Sequence, residues 1–134
     1  MEYTTLGRTG LKVSVAGLGC GGSSRLGLEQ GHSDAHAVGI IRRAVDLGVN
    51  LIDTARGYNT EHVVGAALKL LPRDQLVIST KHKISEGRTA DTVLSAADIV
   101  AGLETSLKTL GTDYVDIFFL HTVFPAAYDH AVNE

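Results

Sequence analysis

Residues 49–81 read VNLIDTARGYNTEHVVGAALKLLPRDQLVISTK, and this stretch decides the fold class. It opens on a short apolar run, Val49-Asn50-Leu51-Ile52, that ends in Asp53. A helix follows. Asn59 or Thr60 can cap its N-terminus, Val64, Ala67, Leu68 and Leu71 recur at helical spacing, and Pro72 bars its continuation. Gln75-Leu76-Val77-Ile78-Ser79-Thr80 is a second apolar run, ending in Lys81. Strand, helix, strand is one βαβ unit, with the crossover helix returning the chain so that the strands run parallel.

The same grammar continues in both directions. Upstream, Ser33 or Asp34 caps a helix with Ala37, Ile41, Ala44 and Val45 on one face and Arg42 and Arg43 outward, stopped at Gly48. Before it, Val13 to Gly19 reads as a buried strand running into a flexible Gly- and Ser-rich loop, Cys20 to Gly31. Downstream of a polar loop, Ser95 and Asp98 resemble a capping box, with Leu94 and Ile99 at hydrophobic-staple positions. Val100, Leu103, Leu107 and Leu110 form the apolar stripe of that helix, closed by Gly111, and Tyr114 to Leu120 is a fourth strand ending in His121. Tyr3–Leu6 and Leu11–Ser14 flank a Gly7-Arg8-Thr9-Gly10 turn and predict a small N-terminal hairpin. Thr122 to Glu134 reads as a loop and the beginning of a further element. Four strands alternating with three helices, the inner strands apolar throughout, predict a parallel sheet covered on both faces.

Composition narrows the function classes. With 134 residues, 44% of them hydrophobic and 20% charged, residues 1–134 are expected to form one packed domain. Twelve basic against 15 acidic residues, a net charge of −3, argue against nucleic acid or an anionic membrane as partner. One cysteine, Cys20, forms no internal disulfide, and no apolar run reaches the ~20 residues of a membrane span. Arg8 and Lys12 ahead of Val13–Cys20 mimic a short lipoprotein signal, but Ser14, Gly17 and Gly19 interrupt it. A cytoplasmic setting is expected.

The polar residues carry the functional signal. Asp53, Lys81 and His121 stand at the C-terminal ends of the presumed strands, and Tyr58 lies just beyond the second. In a parallel α/β fold these ends share one face, where ligands bind. Each alone reads as a solvated loop residue, but four together on one face suit a defined chemistry. A phenol is a poor acid at neutral pH, and a close ammonium stabilises the anion left when it gives up its proton. Asp53 would hold Lys81, Tyr58 would protonate a developing oxyanion, and His121 would orient that oxygen. Such a set reduces a carbonyl, and the hydride must come from a nicotinamide cofactor, since no side chain supplies one.

The blocks Asp53-Thr54-Ala55-Arg56-Gly57-Tyr58, Ile78-Ser79-Thr80-Lys81 and Leu120-His121 resemble the Asp, Tyr, Lys and His tetrad of the aldo-keto reductases. Leu103–Lys108 with Leu110–Asp116 is similar to that family's segment before the histidine strand, and Leu6–Ser14 to its N-terminal hairpin. The resemblance implies a TIM (β/α)8 barrel of which the first four strands are present, a small-molecule carbonyl substrate, and NADP(H) lying across the strand ends. It further implies that Asp53 and the backbone near Gly19, Cys20 and Gly21 touch the nicotinamide. A complete barrel needs about 250 residues, and in the family the 2′-phosphate and adenine pockets come from its second half. Association with that half, or self-association, is therefore expected. The second function class is a non-catalytic subunit that acts by binding another chain.

Weaker patterns point elsewhere. Gly17, Gly19 and Gly22 satisfy G-x-G-x-x-G, but a dinucleotide loop needs a helix to open at once, and here a loop is expected instead. His32 and His36 are spaced like metal ligands without a third donor, so no metal is expected. Cys20 has no evident cationic partner, and His82 adjoins Lys81 and could line the pocket.

Overall fold

The computed structural model describes residues 1–87 and 92–133, so part of the polar loop expected before the third helix, residues 88–91, lies outside it, as does Glu134. An antiparallel hairpin, β1 (Tyr3–Thr5) and β2 (Lys12–Ser14), pairs Tyr3 with Ser14 and Thr5 with Lys12. A four-stranded sheet follows: β3 (Leu18–Gly19), β4 (Leu51–Asp53), β5 (Val77–Lys83) and β6 (Ile117–His121), in the order β3-β4-β5-β6. Every neighbouring pair is parallel. The helices are α1 (Asp34–Asp46), α2 (Glu61–Leu68), α3 (Ala96–Leu110) and α4 (Pro125–Asn133). Sequential parallel strands joined by helices are the first four units of a (β/α)8 barrel with a hairpin ahead of them.

The helix boundaries follow from local chemistry. Ser33 accepts from the His36 N–H at the start of α1, and Ser95 and Asp98 form a reciprocal capping box at the start of α3. Thr60 caps α2 by position only; its hydroxyl bonds the Thr54 hydroxyl instead, at 2.9 Å.

Alternation along the strands separates core from site, because successive side chains point to opposite faces. Ile52 and Ile78 are paired in register, fully buried, and belong to one cluster with Ile41, Val63, Val64, Ala67 and Leu110 of the helices. Asp53, Ser79 and Lys81 lie on the opposite, barrel-facing side.

Several expectations are corrected. Val13 to Gly19 is not one strand: Ser14 ends the hairpin, Val15 is 61% exposed, and β3 begins only at Leu18. The chain must turn here from the hairpin into the sheet, and Gly17 admits Leu51, whose Cδ2 would lie 3.2 Å from any added Cβ. The Cys20–Gly31 loop contains a 3-10 turn, Arg25–Gln30. The α3 stripe is partly shifted: Leu110 is buried and Leu103 and Leu107 are half-buried as expected, but Val100 is exposed, and the most buried seam is Gly102, Ser106 and Leu110. Close approach selects that seam, since a Cβ on Gly102 would stand 2.3 Å from the His82 ring. Residues 122–134, expected as a loop and the beginning of an element, hold α4, a helix beyond the three expected.

The hairpin is fastened to the sheet by Asn50. Its Oδ1 accepts from the Ser14 N–H at 2.7 Å, its Nδ2 donates to the Lys12 carbonyl at 2.9 Å, and the Ser14 hydroxyl accepts from the Asn50 N–H. Asn50→Leu leaves the part-buried Ser14 N–H without its acceptor and removes the bond to the Lys12 carbonyl, and is expected to lower unfolding free energy by about 2 kcal/mol. Urea denaturation gives the loss, and faster amide exchange confined to Tyr3–Ser14 locates it. An unchanged urea midpoint contradicts the assignment.

Candidate active site

The expected site residues meet at the C-terminal end of the sheet. Asp53 is the last residue of β4, and Lys81 faces it from β5, which runs two residues further than expected, so that Lys81 lies within the strand. Lys81 Nζ donates to both Asp53 oxygens at 2.6 Å and to the Thr54 carbonyl at 2.9 Å. The Ser79 hydroxyl donates to Asp53 Oδ1 at 2.5 Å. The carboxylate is thereby fixed from two sides, and the ammonium's three donors are satisfied.

Tyr58 arrives on a 3-10 turn, Arg56–Tyr58, closed by Asn59 in the left-handed region (φ 56°). Its ring lies 4.9 Å from Lys81 Nζ and meets the His121 ring edge-on, with centroids 5.6 Å apart. Asp53, Lys81, Tyr58 and His121 thus form one contiguous chain of contacts.

Gly19, Cys20 and Gly21 border the same group. Gly19 pairs in register with Asp53, and an added Cβ there would meet open space. At Gly21 a Cβ would lie 2.7 Å from the Tyr58 ring, so only glycine leaves the phenol where it is. The Cys20 N–H is engaged by the Asp53 carbonyl at 2.8 Å. Burial pushes the Cys20 thiol up to about 12, the Asp53 charge adding and Lys81 opposing. A cationic neighbour therefore exists, but the thiol stays protonated and inert.

Sequence reading missed a second tier of contacts behind the site. Thr54, which follows Asp53, bonds Thr60, and Thr80, which precedes Lys81, donates to Glu61 Oε1 at 2.7 Å. All four are buried. These bonds tie the helix-facing neighbours of Asp53, Tyr58 and Lys81 together. Ser79 was legible in principle, being two residues from Lys81 and so on its face.

A hollow of about 490 Å³ lies elsewhere, between the hairpin and the N-terminal ends of the strands. Two of its polar side chains are held by neighbouring structure: Asn50 by the hairpin, and Asp116 by Arg73 and the Ile78 N–H. The chemistry sits at the other end, where a hollow of about 300 Å³ adjoins His121. G-x-G-x-x-G leads to no helix N-terminus, since α1 opens only at Asp34. His32 and His36 stack ring on ring at 4.3 Å. The His82 ring is buried against Gly102 and borders the smaller hollow.

Residues 18–133 match the profile of the Aldo/keto reductase family. Over 133 residues the chain is 41% identical to a Schizosaccharomyces pombe protein assigned by name alone to the voltage-gated potassium channel β subunits (94% of this chain, 38% of that one). It is 37% identical over 136 residues to the NADH-specific methylglyoxal reductase of Escherichia coli (90% and 42%). The solved aldo-keto reductase AKR11C1 from Bacillus halodurans superposes with a TM-score of 0.72 at 32% identity, covering 90% of this chain and 40% of that one. The chain spans about two fifths of the length of these curated relatives.

Proposed function

Since this chain belongs to the aldo/keto reductase family, we propose that it carries the reacting half of an NADP(H)-dependent reductase that converts aldehydes or ketones to alcohols. The observation behind this reading is the bidentate Asp53–Lys81 pair set beneath the Tyr58 ring, with His121 against its edge.

The residues present fit a nicotinamide. The open space over Gly19, which pairs in register with Asp53, would hold the ring, with Gly21 keeping the Tyr58 ring close alongside. When bound, the cofactor supplies the hydride that the carbonyl carbon receives. This chain's residues serve the oxygen. The Tyr58 O–H donates its proton there, and the Lys81 ammonium stabilises the phenolate left behind. Asp53 keeps that ammonium charged and in place, and His121 directs a hydrogen bond at the same oxygen. The test is aldehyde-dependent consumption of NADPH by the chain alone and by the chain joined to the remaining strands of a relative's barrel. NADH is the alternative cofactor to assay, because one relative bears an NADH-specific name.

The isolated chain is expected to bind NADPH no tighter than about 100 μM, or about −5.5 kcal/mol. The residues proposed to hold the nicotinamide lie in this chain, whereas the 2′-phosphate and adenine contacts of the family belong to the second half of its barrel. Calorimetry or NADPH fluorescence measures this, the chain having no tryptophan. Submicromolar binding would mean that a second copy provides the missing wall.

A second reading, a non-catalytic subunit acting by association, draws on the open sheet edges at β3 and β6 and on exposed Phe119, Leu120 and Val123. Val77 is buried and Ile78 packs with the helix-side cluster, whereas Phe119 and Leu120 of β6 are exposed. Unpaired parallel edges and apolar exposure both favour pairing with another chain. Sedimentation equilibrium of the 134-residue chain is expected to show self-association at micromolar concentration. A monomer that melts cooperatively contradicts this and leaves the catalytic reading intact.

A further inference from the structure

The hollow of about 300 Å³ beside His121 is bordered by Arg56, Gly57, Asn59, His82 and Lys83. Its lining is cationic and amide-bearing, with no carboxylate among these residues. Lys83 is neutralised in part by an ion pair with Glu86. Arg56 is different. It is exposed, its guanidinium makes one long bond, 3.4 Å to the Gly102 carbonyl, and no ion pair joins it among the described residues. Most of the five donors of an arginine fork are therefore available, in a geometry that matches a carboxylate. Among the described residues, the other charges nearby are Asp53 and Lys81, which pair with each other, and Glu61, which is held by Thr80 and borders the adjoining hollow.

Position gives this charge a meaning. His121 borders the hollow and also touches the Tyr58 ring, so a carbonyl held between Tyr58 and His121 would direct one substituent toward Arg56. Building on the catalytic reading, we propose that Arg56, with Lys83 and Asn59, forms an anion-recognising subsite, and that the favoured substrates are carbonyl compounds bearing a carboxylate. A bidentate Arg–carboxylate contact orients the molecule as well as binding it. Gly57 leaves the wall between Tyr58 and Arg56 free of a side chain, which keeps that path open.

The test uses the 134-residue chain and two unreactive product-like probes, 4-(hydroxymethyl)benzoate and its methyl ester, titrated by two-dimensional NMR. The acid is expected to bind about tenfold tighter than the ester, with the largest shifts at Arg56, Asn59 and His121. Arg56→Gln should remove most of that preference, Arg56→Lys should restore part of it, and Arg43→Gln, an exposed arginine on α1, should leave it unchanged. Equal affinities, a preference that survives Arg56→Gln, or shifts centred elsewhere overturn the subsite. A kinetic arm separates this from the catalytic reading, comparing reduction of 4-carboxybenzaldehyde and its ester with NADPH by the chain joined to a relative's remaining strands. Equal kcat/KM for the two removes the subsite and leaves the reductase; reduction of neither, with the binding preference intact, removes the reductase and with it the substrate role of Arg56.

Discussion

Replacing Tyr58 by Phe is expected to lower carbonyl reduction by about 10²–10⁴-fold, the range that a positioned general acid contributes. The substitution deletes one oxygen and keeps the ring, so the packing of the ring against Gly21 and the edge contact with His121 persist. The Asp53–Lys81 pair does not depend on the phenol oxygen either, since Lys81 Nζ is saturated by Asp53 and the Thr54 carbonyl. Cofactor affinity should therefore hold while kcat falls, the pattern of an interaction made only in the transition state. The comparison needs parent and variant chains joined to the remaining strands of a relative's barrel, assayed for aldehyde-dependent NADPH consumption and titrated with NADPH. A Tyr58→Phe variant as fast as its parent would show that another group protonates the oxygen.

Gly65→Val is expected to be strongly destabilising, lowering stability by about 3 kcal/mol or more. Gly65 lies in α2, where an added Cβ would stand 2.7 Å from the Leu110 carbonyl oxygen and 2.8 Å from that of Thr109. Those atoms are backbone at the C-terminal end of α3, so relief requires moving a whole helix rather than a side chain. The loss is a large share of the ~5–15 kcal/mol by which a domain is stable. Gly39→Ala is the contrasting control: it lies in α1 with nothing within 4 Å of the added carbon. Alanine there should stabilise by about 0.5–1 kcal/mol, because glycine loses more backbone entropy in a helix. Urea midpoints order the two variants, and a Gly65→Val midpoint equal to the parent's would mean that α2 and α3 are not packed as described.

Local patterns carried most of the fold. The cap at Ser33, the capping box at Ser95 and Asp98, the glycine stop at Gly111 and the apolar runs at Ile52 and Ile78 all depend on neighbours within a turn or on period-two alternation. That Asp53, Lys81 and His121 share a face was legible for a similar reason, since strands of a parallel sheet present their C-terminal ends together, whereas Tyr58 joins them on the Arg56–Tyr58 turn. The failures are those in which one segment's conformation answers to a distant one. Val13 to Gly19 looked like a single strand because each residue tolerates the extended state. Asn50 and Leu51, far along the chain, divide it between the hairpin and the sheet.

The sequence by itself determined the alternation of strands and helices, the capped starts of α1 and α3, and the common face shared by Asp53, Lys81 and His121, since these follow from hydrogen-bond capping and side-chain periodicity. Helix α2, expected to run through Leu71, ends at Leu68. Only the tertiary structure decided which face of α3 is buried, because that depends on how closely His82 approaches Gly102, a steric fact no local propensity encodes. Tertiary contacts likewise decided that Cys20 is an inert thiol and that Ser79 and Thr54 brace the Asp53–Lys81 pair. They also left Arg56 without a carboxylate partner among the described residues. Burial, dielectric surroundings and the direction of a long side chain are properties of the assembled space around a residue, and they emerge only when segments remote in sequence share it.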